Sequence, residues 1–450
     1  MRYLTLIAVV LISALASFGV FENAEAAAMN ERAARRFLEQ AAFGPKQIDV
    51  DRVMNLGFER YIDEQFSTPI TGYPSYLDRT KAENLRERFF SNALHGRDQL
   101  RQRMAYALGQ IFVVSSLRVT EAPAIASYQR LLLSKSFSTY KDLLREVTLH
   151  PAMGRYLGMV NNFSTSRPNE NYAREVMQLF SIGTVELNLD GSEKLGDNGA
   201  PIAAYTQADV EGLARAFTGW TYPVTPGLAS KNENPPYYYG RMQASESRHD
   251  HEAKTILGGV VLPAGQTAWR DLNMSIDALS SHPNVAPFIS QRLIQHFVTS
   301  NPSPYYIARV ANVFNENGRG VRGDFKSVLK AILLDPEARR GDDPTTKQNT
   351  DGRLKDPVLF VTGLLRSLNA PKSGQESLWT YTIAMGLNVF SSPSVFNFYS
   401  PDNVLPEAGL KAPEFQIHQS PSAAARFNFL NTIIYCWNSP LAIDLSPWIA

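Results

Sequence analysis

The sequence predicts a mainly α protein: a large helical globular domain with a small β-hairpin excursion and long irregular loops. Three observations lead there. Apolar residues recur three and four positions apart over much of the chain, the spacing that lines one face of a helix. Turn dipeptides of the hairpin type cluster in one short stretch, Val185 to Ile202. Hydrophobic residues make up 44% and charged residues 19% of 450, an ordinary globular balance, so disorder is not the general state.

The chain opens Met1-Arg2-Tyr3, followed by an apolar run from Leu4 to Phe21 and then Glu22-Asn23-Ala24-Glu25-Ala26. A basic start, an apolar stretch and an A-x-A site describe a secretory signal peptide removed after Ala26, although a run of this length is also just enough for a membrane anchor. Residues 1–26 are therefore read as signal peptide and 27–450 as a single helical domain of an exported protein, periplasmic or extracellular. Removal leaves 43 basic and 41 acidic residues, and no later run is apolar for long enough to span a bilayer. So even a balance lacks the positive field of a nonspecific nucleic-acid binder. Cys436 is the only cysteine, which leaves no intrachain disulfide. Its apolar surroundings favour a buried inert thiol, and no cysteine follows the leader at a lipid-attachment position.

From Asn30, a candidate N-cap, Ala33, Ala34, Phe37, Leu38, Ala41 and Ala42 spell the first mature helix, with Gly44-Pro45 as its stop. Leu100, Met104, Leu108, Ile111 and Phe112 repeat the pattern, as do Leu143, Leu144 and Val147 between a Ser138 cap and a break at Pro151. Asp190-Gly191 and Asn198-Gly199 then mark the hairpin excursion, and the offsets there fit turns rather than a calcium loop. Thr206 with Asp209 forms a capping box for a helix that turns Val210, Leu213, Ala214 and Phe217 inward. Thr221 to Pro263 reads as a long irregular stretch. Helices resume over Asn284 to Val298, Ile307 to Asn315 and Asp324 to Leu334, and Asp335 to Arg353 reads as an exposed connection. His150-Pro151 and His282-Pro283-Asn284 precede helices and read as caps.

Gly318-Arg319-Gly320-Val321-Arg322-Gly323 spells G-x-G-x-x-G, but helical spacing leads into it rather than a strand, so it reads as one helix end and the next helix start. The densest polar cluster on an apolar helix is Asn169-Glu170-Asn171-Tyr172-Ala173-Arg174-Glu175. Glu170 and Arg174 stand one turn apart, as do Asn171 and Glu175. Spacing alone describes a solvated face; as a pocket wall, Glu170 or Glu175 would be a general base or metal ligand and Arg174 would hold an anionic group. His249, Asp250 and Lys254 form a second titratable group in the irregular stretch. His249 and His251 alternate as extended metal ligands would, yet no specific metal motif is present; a divalent metal is compatible and unassigned. The aromatic runs holding Trp220 and Tyr238, and Phe396-Asn397-Phe398-Tyr399, serve as packing or, if exposed, stack on sugars. Candidate catalytic residues are thus Glu170, Arg174, Glu175, His249, Asp250 and Lys254, with Asn169, Asn171, Trp220 and Tyr238 for binding.

Several segments resemble a known bacterial family: Gln40-Ala41-Ala42-Phe43-Gly44-Pro45, Pro168-Asn169-Glu170-Asn171-Tyr172-Ala173-Arg174-Glu175, Phe217-Thr218-Gly219-Trp220, Ser392-Pro393-Ser394-Val395-Phe396-Asn397-Phe398-Tyr399 and Ala412-Pro413-Glu414-Phe415. In order and over the mature chain they are similar to domain-of-unknown-function family 1800. The resemblance implies a large exported bacterial protein, often encoded beside a sulfatase-like exported family that is a candidate partner. It brings no established reaction. It also implies histidines in the helix that here reads Met104 to Phe112, where this chain has none, and a further helical piece past Pro447-Trp448-Ile449-Ala450. Two expectations follow. One is a hydrolase-like enzyme in which the Asn169–Glu175 and His249–Lys254 groups share a pocket. The other is a non-catalytic scaffold or glycan-binding partner in which the same groups are structural.

Overall fold

The structure, a computed structural model, describes residues 30–75, 81–163, 167–369, 377–435 and 441. The leader and Cys436, with the expectations placed on them, lie outside the described residues. Packed helices dominate, and the only sheets among the described residues are three two-stranded antiparallel ribbons. No helix among the described residues is long and apolar enough to cross a membrane.

The first helix, Glu31–Ala41, begins as its sequence dictates: Asn30 Oδ1 accepts from the Ala33 N–H at 2.9 Å, and Phe37 and Leu38 are buried. The Gln99–Ile111 helix packs on Ala122–Lys135. Tyr140–Thr148 buries Leu143, Leu144 and Val147, but its cap is Thr139, not Ser138. Thr139 Oγ1 accepts from Asp142 N at 3.2 Å, whereas the Ser138 hydroxyl turns back to Lys135 O. Pro151 both breaks that helix and opens the next, Pro151–Leu157, because a first-turn position needs no N–H. His150 Nδ1 accepts from Ala152 N and His282 Nδ1 from Asn284 N, each at 3.1 Å, so both histidines cap.

The hairpin excursion is pinned by bridges at Val185–Ala203, Leu187–Glu193 and Leu195–Pro201. Asp190 and Asn198 each accept from the N–H two residues on, at 3.0 Å, the geometry of turns. The Asn284 side chain clamps the base of the arm, donating to Ile182 O and Val185 O and accepting from Leu187 N.

Thr206 and Asp209 complete the predicted capping box of Gln207–Ala216. Gly212 on that helix lets the Lys254–Ile256 strand lie against it; a Cβ there would stand 2.0 Å from Thr255 O. Several long helices escape the apolar pattern, among them Ala82–His95, Ala122–Lys135, Pro357–Ser367, Ser420–Tyr435 and Ala268–Ser281; the last buries Asp271, Ser275 and Ser280 beside its Leu and Ile residues, which blurs the stripe. Apart from Pro336, the Asp335–Arg353 segment is exposed only from 343 to 350. Its first part is tucked in, because Asp335 caps Pro336–Arg339 and is gripped by Arg309 at 2.7 and 2.8 Å. In the glycine-rich turn, Glu316 and Asn317 already occupy the N–H groups of Gly320 and Arg319, and Asp324 caps the following helix.

Candidate functional site

The predicted residues separate into two groups. Glu170 and Arg174 form a half-exposed pair at 2.8 Å, joined by Gln207 at the start of its helix. Asn169 and Asn171 hold the turn that begins this segment: Asn169 Oδ1 accepts from Asn171 N, and the Asn169 backbone is paired to the Asn162 side chain. Glu175 is raised above the usual carboxylate range by burial, with Arg174 opposing, and its Oε2 has no partner among the described residues.

Asp250 grips Arg215 at the other end of the Gln207 helix, about 12 Å along its axis from Gln207. His249 and Lys254 are buried and converge on Asp271 of the Ala268–Ser281 helix, at 3.1 and 2.7 Å, while Gln266 bonds its other oxygen at 2.8 Å. Burial opposes the Asp271 charge, but the bonds from His249 and Lys254 outweigh it and hold the carboxyl below its ordinary value. Gly219, at φ +81°, allows the chain to pass directly over His249, where a Cβ would sit 2.9 Å from the His249 backbone. Thr218 Oγ1 donates to Arg215 O and accepts from Asp250 N, which ties the His249–Asp250 turn to the end of the Gln207 helix. Trp220 and Tyr238 are buried, the first edge-on to Trp269 and the second to Tyr222. No cluster of three or more metal-ligating side chains occurs among the described residues.

A cavity of about 210 Å³ lies elsewhere and is lined by none of these residues. Three helices deliver their C-terminal ends to it: Gln99–Ile111 through Gln110, Asn171–Gln178 through Gln178, and Val285–Phe297 through His296. The Val395–Asp402 strap and Glu414, in the 3₁₀ turn Pro413–Ile417, close it. Helix C-termini present unpaired carbonyls and partial negative charge. That explains why the His296 carbonyl accepts from both Arg103, at 2.8 Å, and Arg353. Arg353 also holds Glu414 Oε1 at 2.7 Å, so one guanidinium fixes the two groups together. Asp356, the N-cap of Pro357–Ser367, faces the same guanidinium at 3.5 Å.

The His296 ring makes no hydrogen bond to another described residue. Burial, reinforced by Arg353, Arg103 and Arg292, holds the imidazole well below the usual histidine value, so at neutral pH it is uncharged, with one ring nitrogen carrying a proton and the other able to accept one. Burial raises Glu414, against the pull of Arg353, and its buried Oε2 has no partner among the described residues. Gln110 Oε1 accepts from Tyr399 OH at 3.0 Å and Asn397 Nδ2 at 3.2 Å. Arg292 lies over Phe288 and pairs with Asp402 at 2.7 Å at the rim. Asn397 holds φ at +68°, an uncommon conformation for a residue with a side chain and one that clusters at functional sites.

Sequence reasoning missed His296, Glu414, Gln110 and Arg353, and marked Tyr399 only as part of an aromatic run. Their only local signal was polar residues ending or interrupting apolar helices, such as Gln295-His296 and Arg103, while Glu414 lay in a segment that carried the resemblance without a chemical pattern. Neither the curated proteins nor the solved structures include a match to this chain. The family model described as "Protein of unknown function (DUF1800)" matches residues 36–433, from the first helix to the last, and the chain belongs to that family.

Proposed function

We propose that this is an exported, hydrolase-like enzyme that acts on a small molecule in the His296 cavity. The observation that carries the reading is a pair of perturbed groups on one wall. An imidazole kept uncharged, whose backbone carbonyl Arg353 holds, faces a carboxyl raised in pKa that the same Arg353 grips and one of whose oxygens has no partner among the described residues. Environments that push two titratable groups in opposite directions are the usual setting for acid–base work.

In an ester-type substrate, His296 takes a proton from water as the water oxygen bonds to the electrophilic carbon. The bond to the leaving oxygen breaks, and that oxygen departs with the proton of Glu414. The imidazolium then returns its proton to the Glu414 carboxylate, which restores both groups. Arg353 acts as a positioning residue. On this reading the His249–Asp271–Lys254 network is a brace, and the Glu170–Arg174 pair a surface clasp.

The test is to produce the full chain with its leader, recover it outside the cytoplasm with Ala27 as first residue, and assay carboxylic, phosphate, sulfate and glycoside ester panels. His296→Gln should lower turnover by about 10²- to 10⁴-fold with an unchanged melting temperature. Equal rates for the two proteins, or no turnover by the parent on any panel, would defeat the proposal.

A further inference from the structure

Among the described residues, positive side chains outnumber negative ones around the His296 cavity. Arg292 lines it, Arg103 and Arg353 grip the His296 carbonyl from behind, and Lys411 stands beyond the rim on Asp402. Against them are Asp356, Asp402 and Glu414, and Glu414 is in its acid form in the proposed reaction. The partial negative charge of the helix end at His296 is met by Arg103 and Arg353.

Arg292 is the cation that faces the cavity, and its own helix fixes it. Its side chain is 14% exposed, its guanidinium lies over the Phe288 ring at 5.0 Å, and its Nη1 donates to Gln295 Oε1 at 3.2 Å. The third partner is different in kind. Asp402 takes two bonds from the fork, from Nη2 at 2.7 Å and from Nη1 at 3.2 Å, the bidentate geometry of a planar carboxylate. It is 50% exposed, and Lys411 Nζ holds it as well, at 2.8 Å. Partial burial opposes its charge, but Arg292 and Lys411 outweigh that and keep the carboxyl well below its ordinary value. Asp402 thus has room to turn outward and a second cation to stay paired with, whereas Arg292 keeps its place without it.

We infer that the cavity selects a substrate bearing a carboxylate, which Arg292 binds bidentately in the place that Asp402 fills when the site is empty. This rests on the His296 cavity being the substrate site and adds the charge of the molecule it takes. Arg292 and His296 stand one turn apart on the same face of the Val285–Phe297 helix, about 6 Å along its axis, so the anchored carboxylate lies only a few bonds from the carbon under attack. A cavity of about 210 Å³ suits so short a molecule. A cationic group at this point would meet Arg292 itself, and a neutral one would leave Asp402 undisturbed.

The experiment titrates the full chain by calorimetry with three probes of one shape: sodium succinamate, neutral succinamide and cationic β-alaninamide. Succinamate should bind about tenfold or more tighter than succinamide, and β-alaninamide weakest. The preference should shrink as sodium chloride is raised from about 20 mM to about 500 mM. Asp402→Asn removes the internal competitor and should tighten succinamate about threefold to tenfold with succinamide unchanged. Arg292→Gln should lower succinamate to the level of succinamide, and Arg292→Lys, a point charge without the fork, should fall between. His296→Gln should keep the preference even as it loses turnover, so failure of the catalytic reading and failure of this one are separately visible. Succinamide or β-alaninamide binding as tightly as succinamate, no binding of any probe, succinamate affinity unchanged or weakened in Asp402→Asn, or a preference that survives in folded Arg292→Gln would each overturn the inference. If Arg292→Gln does not fold, the parent series and Asp402→Asn decide.

Discussion

Asp271 illustrates how a residue's role depends on neighbours distant in sequence. His249, Asp250 and Lys254 were visible as a titratable cluster, but the carboxylate that His249 and Lys254 share comes from a helix 17 residues past the lysine. That spacing forms no motif. Removing Asp271 leaves Lys254, whose side chain is fully buried, with only the Asp250 carboxylate at 3.9 Å, which Arg215 already holds. Asp271→Ala should therefore lower stability by about 3–5 kcal/mol in urea denaturation. Adding Lys254→Met should recover a large part of the loss, because an apolar side chain replaces the orphaned ammonium. If the double variant is no more stable than the single one, the network does not work as a charge pair. His296 teaches the complementary lesson. Its chemistry comes from what surrounds it, the guanidiniums and the end of its own helix, so an apolar helix pattern gave no sign of it.

At the scale of elements, local chemistry was the most legible part of the structure. The Asn30 cap, the Thr206–Asp209 capping box and the two histidine caps depend on groups within a few residues of one another, and each is found. The Thr139 cap lay one residue from its expected place because two neighbouring hydroxyls compete and only one faces the free N–H groups. Helix Ala268–Ser281 was illegible because its inward face serves a polar network as well as the core. Gly212 shows tertiary packing overriding propensity. Alanine there would favour an isolated helix by about 1 kcal/mol. Its methyl would collide with Thr255 O, however, and the Lys254–Ile256 ribbon would have to move. Gly212→Ala should thus be destabilising by about 1–3 kcal/mol net, read as a lower melting temperature; an unchanged or higher one would show that the ribbon yields freely.

For the whole molecule, the helical class with its small hairpin followed from periodicity and turn chemistry, while the cavity did not, since it is assembled from helix ends far apart in the chain. Buried histidines make the fold acid-sensitive. Burial pushes the His150 imidazole from 6.5 down to about 3. The unfolded chain therefore takes up a proton below about pH 6.5 that the folded chain refuses. Stability falls as pH drops through that window, by about 1.4 kcal/mol per pH unit for this one group, and His296 acts in the same direction. His150→Asn keeps a side-chain acceptor for Ala152 N and should flatten the loss between about pH 6.5 and 5 in denaturant titrations. A slope identical to the parent's would mean that His150 is already protonated in the native state.

The three backbone bonds made by Asn284 bind the arm to the first turn of the helix whose last turn carries His296. Gly183 and Thr184, on the near lip of the cavity, are thereby part of the same rigid piece as the imidazole and cannot swing aside without dragging it along. On the far lip the strap is fastened at the surface by Asp402, half-exposed and shared between Arg292 and Lys411, a fastening that salt screens while the hydrogen bonds of Asn284 are untouched by it.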